Sequence, residues 1–186
     1  KDLIRKRIPR NAPALWNIGH RDVKVLFQDG RLSVSDLYGN SFNSPAEEWL
    51  PSGLDNIVAA QARFHMTAQF EMAGNLGEND ITHATQIRID RAWPLIAERV
   101  AAIPEYVDMF TQAFEDVSSP RDITIVRIGN ALGAFIISEW TSTDTLYDQH
   151  LRRGTPLPPP AAAGKELFSV MLAARRATLA LCFQTV

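Results

Sequence analysis

The run from Ile123 to Trp140, ITIVRIGNALGAFIISEW, constrains this chain more than any other stretch. Its apolar residues Ile123, Val126, Ala131, Leu132, Phe135 and Ile136 recur at helical rather than alternating spacing. Ser118-Ser119-Pro120-Arg121-Asp122 ahead of it supplies a turn and a cap. The expectation is a core helix with that stripe turned inward. The longest apolar stretches, around Ile128 to Trp140 and Ala177 to Phe183, are shorter than the ~20 residues a membrane span needs and are broken by Gly, Asn or Arg, so no transmembrane helix is predicted.

The rest of the chain reads mostly as helices punctuated by proline and glycine. Asn11 to Gly19 sets Pro13 early and Gly19 late around a short apolar run, an irregular segment leading into short helical structure with Trp16 in the core. Val23 to Phe27 is short and β-branched and is followed by the turn former Gln28-Asp29-Gly30-Arg31, but no second clean alternating run completes a hairpin. Arg31 to Pro51 is dense in turn residues and reads as a long ordered loop. Gly53 to Phe64 shows Leu54, Ile57, Val58, Gln61 and Ala62 on one helical face. Thr82 to Val100 returns to helical spacing with Pro94 at a first turn; Pro104 ends that helix and opens another carrying Tyr106, Met109, Phe110 and Phe114. Leu157-Pro158-Pro159-Pro160 is a stiff connector, and Ala161 to Phe183 behind it favours helix. The fold class is therefore all-α with long connecting loops.

Composition narrows the function classes. With 186 residues and 46% hydrophobic content the chain buries a real core. A net charge of −2 provides no basic field for nucleic acid. The one dense basic run, Lys1, Arg5, Lys6, Arg7 and Arg10, reads as a solvated terminus. A single cysteine, Cys182, excludes an internal disulfide and any CxxC motif.

The chemically suggestive stretch is Gln61 to Gly74, QARFHMTAQFEMAG. It sets Glu71 between Phe70 and Met72, ten residues after Gln61, on an apolar background. Such a carboxylate is expected to be dry, and a dry carboxylate has either a partner or a task. A structural cap or ion pair near a helix end is the plainer alternative. His20, His65, His83 and His150 read as surface or satisfied-core residues, and Met66 and Met72 as packing.

The order NAPALWN, FQDGR, a QA helix leading to EMAG, IPEYVDMFTQAF, ITIVRIGNALGAFI, LYDQHLRRG and AAAGKELF resembles the bacterial di-haem cytochrome c peroxidases, a group that includes the MauG-type enzymes. The match runs from about Ile8 to Phe168. The resemblance implies a cytochrome c-like helical domain over residues 1–154, a proline-rich joint over 155–164 and the start of a second haem domain, with an atypical tail, over 165–186. It implies haem c as cofactor, hydrogen peroxide as substrate and a small c-type cytochrome or cupredoxin as electron donor, in the periplasm; a homodimer is compatible with it. Carried residue by residue, Glu71 matches the family's distal glutamate and Gln61 its distal glutamine, together the catalytic pair. Asn11 matches an asparagine of an inter-haem calcium site, although an amide in a turn is the commoner meaning of such a residue.

The departures are as definite. Neither CxxCH haem-attachment motif is present: the first is expected before Lys1, and from Ser169 onward the chain leaves the family pattern, through either a frame change or a divergent tail. Gln28 stands where the family often has Trp or His before DGR, so an aromatic electron path there is not expected. The resulting reading is a di-haem peroxidase-like protein. Its alternatives are a MauG-type oxidase that matures a partner protein and a non-catalytic helical interaction fragment without haem.

Overall fold

In the computed structural model the described residues are 11–183, with side chains described as far as Ala173. The basic run at the start of the chain and the side chain of Cys182 lie outside them. The chain divides into two compact units, Lys1–Thr141 and Ser142–Val186, and the proline-rich stretch falls within the second.

The first unit is built on two packed helices. The helix α1 (Ile57–Gln61) begins at Asn56, whose side-chain oxygen accepts from the Ala59 N–H at 2.9 Å, and all five of its residues are buried. A cap of this kind is worth about 1 kcal/mol, enough to help fix so short a helix. The long helix α5 (Ile125–Trp140) starts at Thr124, whose hydroxyl accepts from the Arg127 N–H. The two helices lie close because α5 presents glycines: a Cβ on Gly133 would come within 3.0 Å of the Ala59 backbone nitrogen, and one on Gly129 within 3.1 Å of the Ala59 carbonyl oxygen. Asn130, between them, is buried and clamps the loop ahead of α1, donating to the Gly53 carbonyl at 3.0 Å and accepting from the Asp55 N–H at 3.1 Å.

That packing corrects the expected inward stripe of α5. The buried residues are Ile125, Ile128, Gly129, Asn130 and Gly133, whereas Phe135 is 55% exposed and Leu132 lies largely outward. Of the expected stripe Ile123 is buried and Val126, Ala131 and Ile136 are partly buried against the core, so the misplaced residues are Leu132 and Phe135: glycines and an amide shift the buried face in a way that the spacing of large apolar residues does not register. Trp16, expected in the core, is 66% exposed. The chain turns at 16–19 instead of forming a helix, so Ile18 goes inward and the Asn17 N–H donates to the Trp140 carbonyl at 2.8 Å.

The hairpin that lacked a visible partner run does form. The strand β1 (Val25–Leu26) pairs antiparallel with β2 (Leu32–Val34), with Leu26 opposite Leu32, and β2 pairs with β3 (Phe42–Asn43), with Val34 opposite Phe42. Strands of two or three residues carry too few alternations to be seen in sequence. The span read as a long loop thus contains two strands and a 3-10 turn, Glu47–Trp49. Asn40 organises it, donating to the carbonyls of Glu47 (2.8 Å) and Leu50 (3.1 Å).

The helical spacing over Thr82 to Val100 resolves into two helices, α2 (Asp80–Ile87) and α3 (Ala92–Ala101). Arg88 between them is extended, holds Asp90 through two hydrogen bonds of 2.5 and 2.9 Å, and lies 3.4 Å from the Trp49 ring centre. Pro94 does sit in the first turn of α3, where its missing N–H has no intrahelical acceptor to lose. Pro104 opens α4 (Pro104–Ala113), which buries Phe110 and leaves Tyr106 and Met109 outward. In the second unit α6 (Leu146–Arg153) is capped by Thr145 and ends at left-handed Gly154, and α7 (Pro159–Phe183) starts inside the proline run. The protein is all-α apart from the small sheet.

Candidate functional site

Gln61 is the last residue of α1 and is buried, with 7% of its surface exposed. The chain then makes tight turns in which the Thr67 N–H and hydroxyl both donate to the Phe64 carbonyl. It re-enters helical geometry as a π-helical turn, Gln69–Ala73, marked by the i to i+5 bonds Ala73 N–H to Ala68 and Gly74 N–H to Gln69, each 3.1 Å. Wide turns of this kind are rare and concentrate at functional positions. Glu71 is its central residue.

The turn is held from the next helix. Asn79, the N-cap of α2, donates to the Ala73 carbonyl at 2.7 Å, and the Thr82 hydroxyl donates to the same oxygen. Gly74 leaves the turn at a φ of 81°, a conformation that glycine adopts without strain.

These elements place Gln61 and Glu71 on either side of one imidazole. Gln61 Nε2 lies 2.5 Å from His65 Nε2, and His65 Nδ1 hydrogen bonds Glu71 Oε2. The family resemblance paired Gln61 with Glu71 but passed over the histidine between them. The available signal was that positions 61 and 65 are four apart at a helix end, the separation at which side chains meet.

Glu71 is not as dry as its neighbours suggested. Its side chain is 29% exposed and lies in a cleft of about 250 Å³ lined by Phe27, Arg31, Pro45, Phe64 and His65. Met72 points to a different groove, beside Met66 and Ile96, and is 68% exposed. Alternate residues of a helical turn face different ways, so flanking apolar side chains in sequence do not shield the one between them. Arg31 brings positive charge to the cleft and is itself held by Asp29 through bonds of 2.6–3.1 Å, which raise its pKa above the ordinary guanidinium value.

Behind the site lies a second residue that the sequence reading did not single out. Arg63 is fully buried, its guanidinium 5.2 Å from the ring centre of Trp93, and none of its three side-chain nitrogens has a hydrogen-bond partner among the described residues. Burial pushes its pKa down to about 10.

The remaining candidates are elsewhere. His20 is exposed beside Asp22, and His83 is exposed on α2. His150 hydrogen bonds Lys165 and the Thr155 carbonyl within the second unit. Gln28 is exposed in the hairpin turn. Asn11 is exposed, and among the described residues no three His, Cys, Asp or Glu side chains converge as a metal site; the structure gives the calcium assignment no support.

The helical scaffold thus joins a buried amide, an imidazole and a carboxylate by hydrogen bonds, with the imidazole and carboxylate lining an open cleft. The model of the di-haem cytochrome c peroxidase family matches residues 2–155, and the chain belongs to that family. No curated protein and no solved structure matches it. Among the described residues no helix is long and apolar enough to cross a membrane.

Proposed function

We propose that this chain carries the peroxide-handling residues of a di-haem cytochrome c peroxidase. The protein reduces hydrogen peroxide to water with electrons from a small c-type cytochrome or cupredoxin in the periplasm. The observation that carries this reading is the hydrogen-bonded line from Gln61 through His65 to Glu71, in a member of that family.

The donor set fits one side of a haem and not its attachment. A carboxylate and an imidazole lining an open cleft, with the buried Gln61 amide behind the imidazole, suit the side on which peroxide is handled. The sequence has one cysteine and no CxxCH, so this stretch provides no covalent attachment. When bound, haem supplies the iron at which the oxygen–oxygen bond is cleaved and through which electrons arrive.

The chain's own residues move the protons. Glu71 Oε2 is taken by His65, which leaves Oε1 to accept a proton from one peroxide oxygen and return it to the departing oxygen as water forms. Gln61 orients the peroxide from its fixed place at the end of α1. Such help is worth roughly 10²–10⁴-fold in rate.

The test is to express a full-length version carrying both CxxCH motifs with the cytochrome c maturation machinery and measure haem content by pyridine haemochrome, then peroxide consumption with a reduced small c-type cytochrome. Haem incorporation with donor-dependent consumption is the expected result. Haem without consumption would favour partner maturation, and no haem would favour the interaction fragment.

A further inference from the structure

The geometry points to His65 as the positioning residue that joins Gln61 and Glu71 into one unit. It does so as a neutral imidazole with its proton on Nδ1, which fixes which Glu71 oxygen is free and which end of the Gln61 amide faces the ring. The inference rests on the reading of those two residues as peroxide handlers, and it adds a residue which that reading did not assign.

With the Gln61 amide nitrogen facing the ring, the hydrogen bonding favours one assignment. An ionised carboxylate only accepts, so the contact to Glu71 Oε2 requires a proton on His65 Nδ1. In the neutral ring Nε2 is then an acceptor, and the group facing it, Gln61 Nε2, is a donor 2.5 Å away. Every contact is satisfied with no charge on the ring. With the opposite tautomer the same geometry would set a lone pair against the carboxylate and an N–H against an amide N–H.

Two consequences follow for the site. Glu71 cannot turn Oε2 into the cleft without breaking its bond to His65, so Oε1 is the oxygen available as base. Gln61 has one N–H committed to the ring, so its remaining N–H and its carbonyl oxygen are the groups left to orient a ligand. Fixing both groups through one planar ring limits the rotational freedom that otherwise separates a bound substrate from a reactive geometry.

The measurement is the ¹⁵N chemical-shift pattern of His65 in the full chain, histidine-labelled, at mildly alkaline pH and without haem or peroxide. The wild type is expected to show the Nδ1–H tautomer, and Glu71→Ala is expected to move His65 toward Nε2–H. An Nε2–H or doubly protonated ring in the wild type overturns the inference, whatever the variant does. A tautomer unchanged in a folded Glu71→Ala protein overturns it as well. In the haem-loaded protein, His65→Phe is expected to lower kcat by about 10–100-fold with little change in KM; an unchanged kcat contradicts the positioning role. Because the tautomer is read without turnover, an inactive protein would count against the peroxidase reading alone.

Discussion

Arg63 is buried, its side-chain nitrogens have no hydrogen-bond partner among the described residues, and its guanidinium lies over the Trp93 ring. Removing a cation from water without a pairing anion is unfavourable by several kcal/mol, while a cation–π contact of this kind returns about 2 kcal/mol at best. Arg63→Met retains much of the packing volume and removes the charge. It is expected to raise stability by about 1–3 kcal/mol, seen as a higher urea midpoint at unchanged slope. A loss of stability would mean that the guanidinium is paired in solution. Nothing in the composition singles out this arginine among the others. Its burial depends on the turn after α1 bringing it against Trp93 of α3, which is a property of the fold.

At the scale of elements, α5 is held by its glycine face and by the turn that precedes it. Phe135→Ala removes an exposed ring in edge contact with Trp140 and is expected to cost about 1 kcal/mol or less. Ile128→Ala, on the buried face, is expected to cost about 2–5 kcal/mol. Equal costs in denaturant melts would show the register of α5 to be wrong. Ahead of the helix, one Asp122 oxygen accepts from the backbone N–H and the hydroxyl of both Ser118 and Ser119, which holds its pKa below the ordinary 3.8. A carboxyl whose pKa falls on folding adds stability that is complete above the unfolded value and is lost as pH drops through the folded one. The stability gap between wild type and Asp122→Ala is therefore expected to be widest at neutral pH and to close on acidification below that value. Urea midpoints across the range check it, and a gap that widens in acid would contradict it.

For the molecule as a whole, helix positions and proline-marked starts were legible because they depend on local spacing: Pro94 and Pro104 stand where the sequence put them, whereas the expected cap at Ser118 to Asp122 closes a separate 3-10 turn and α5 itself is capped by Thr124. The sheet was not legible because its strands are two or three residues long, and the core face of α5 was not because glycine and asparagine set it. The pairing of Gln61 with Glu71 came from the family pattern, while His65 and the π-helical turn that bring them together came only from the fold. The tail follows from the second unit, where the described side chains of α7 from Ala163 to Ala173 are exposed. Deleting residues 169–186 is expected to leave the main thermal transition essentially unchanged, and a drop of many degrees would show that the tail is packed.

The account stands most directly on Glu71 as a base. In the haem-loaded natural protein, Glu71→Gln keeps the shape and can still accept from His65, but it cannot take a proton. Peroxide turnover is expected to fall by roughly 10²–10⁴-fold, with haem content and melting behaviour close to the parent. Full peroxidase activity in Glu71→Gln would contradict the account and leave the carboxylate a structural partner of His65.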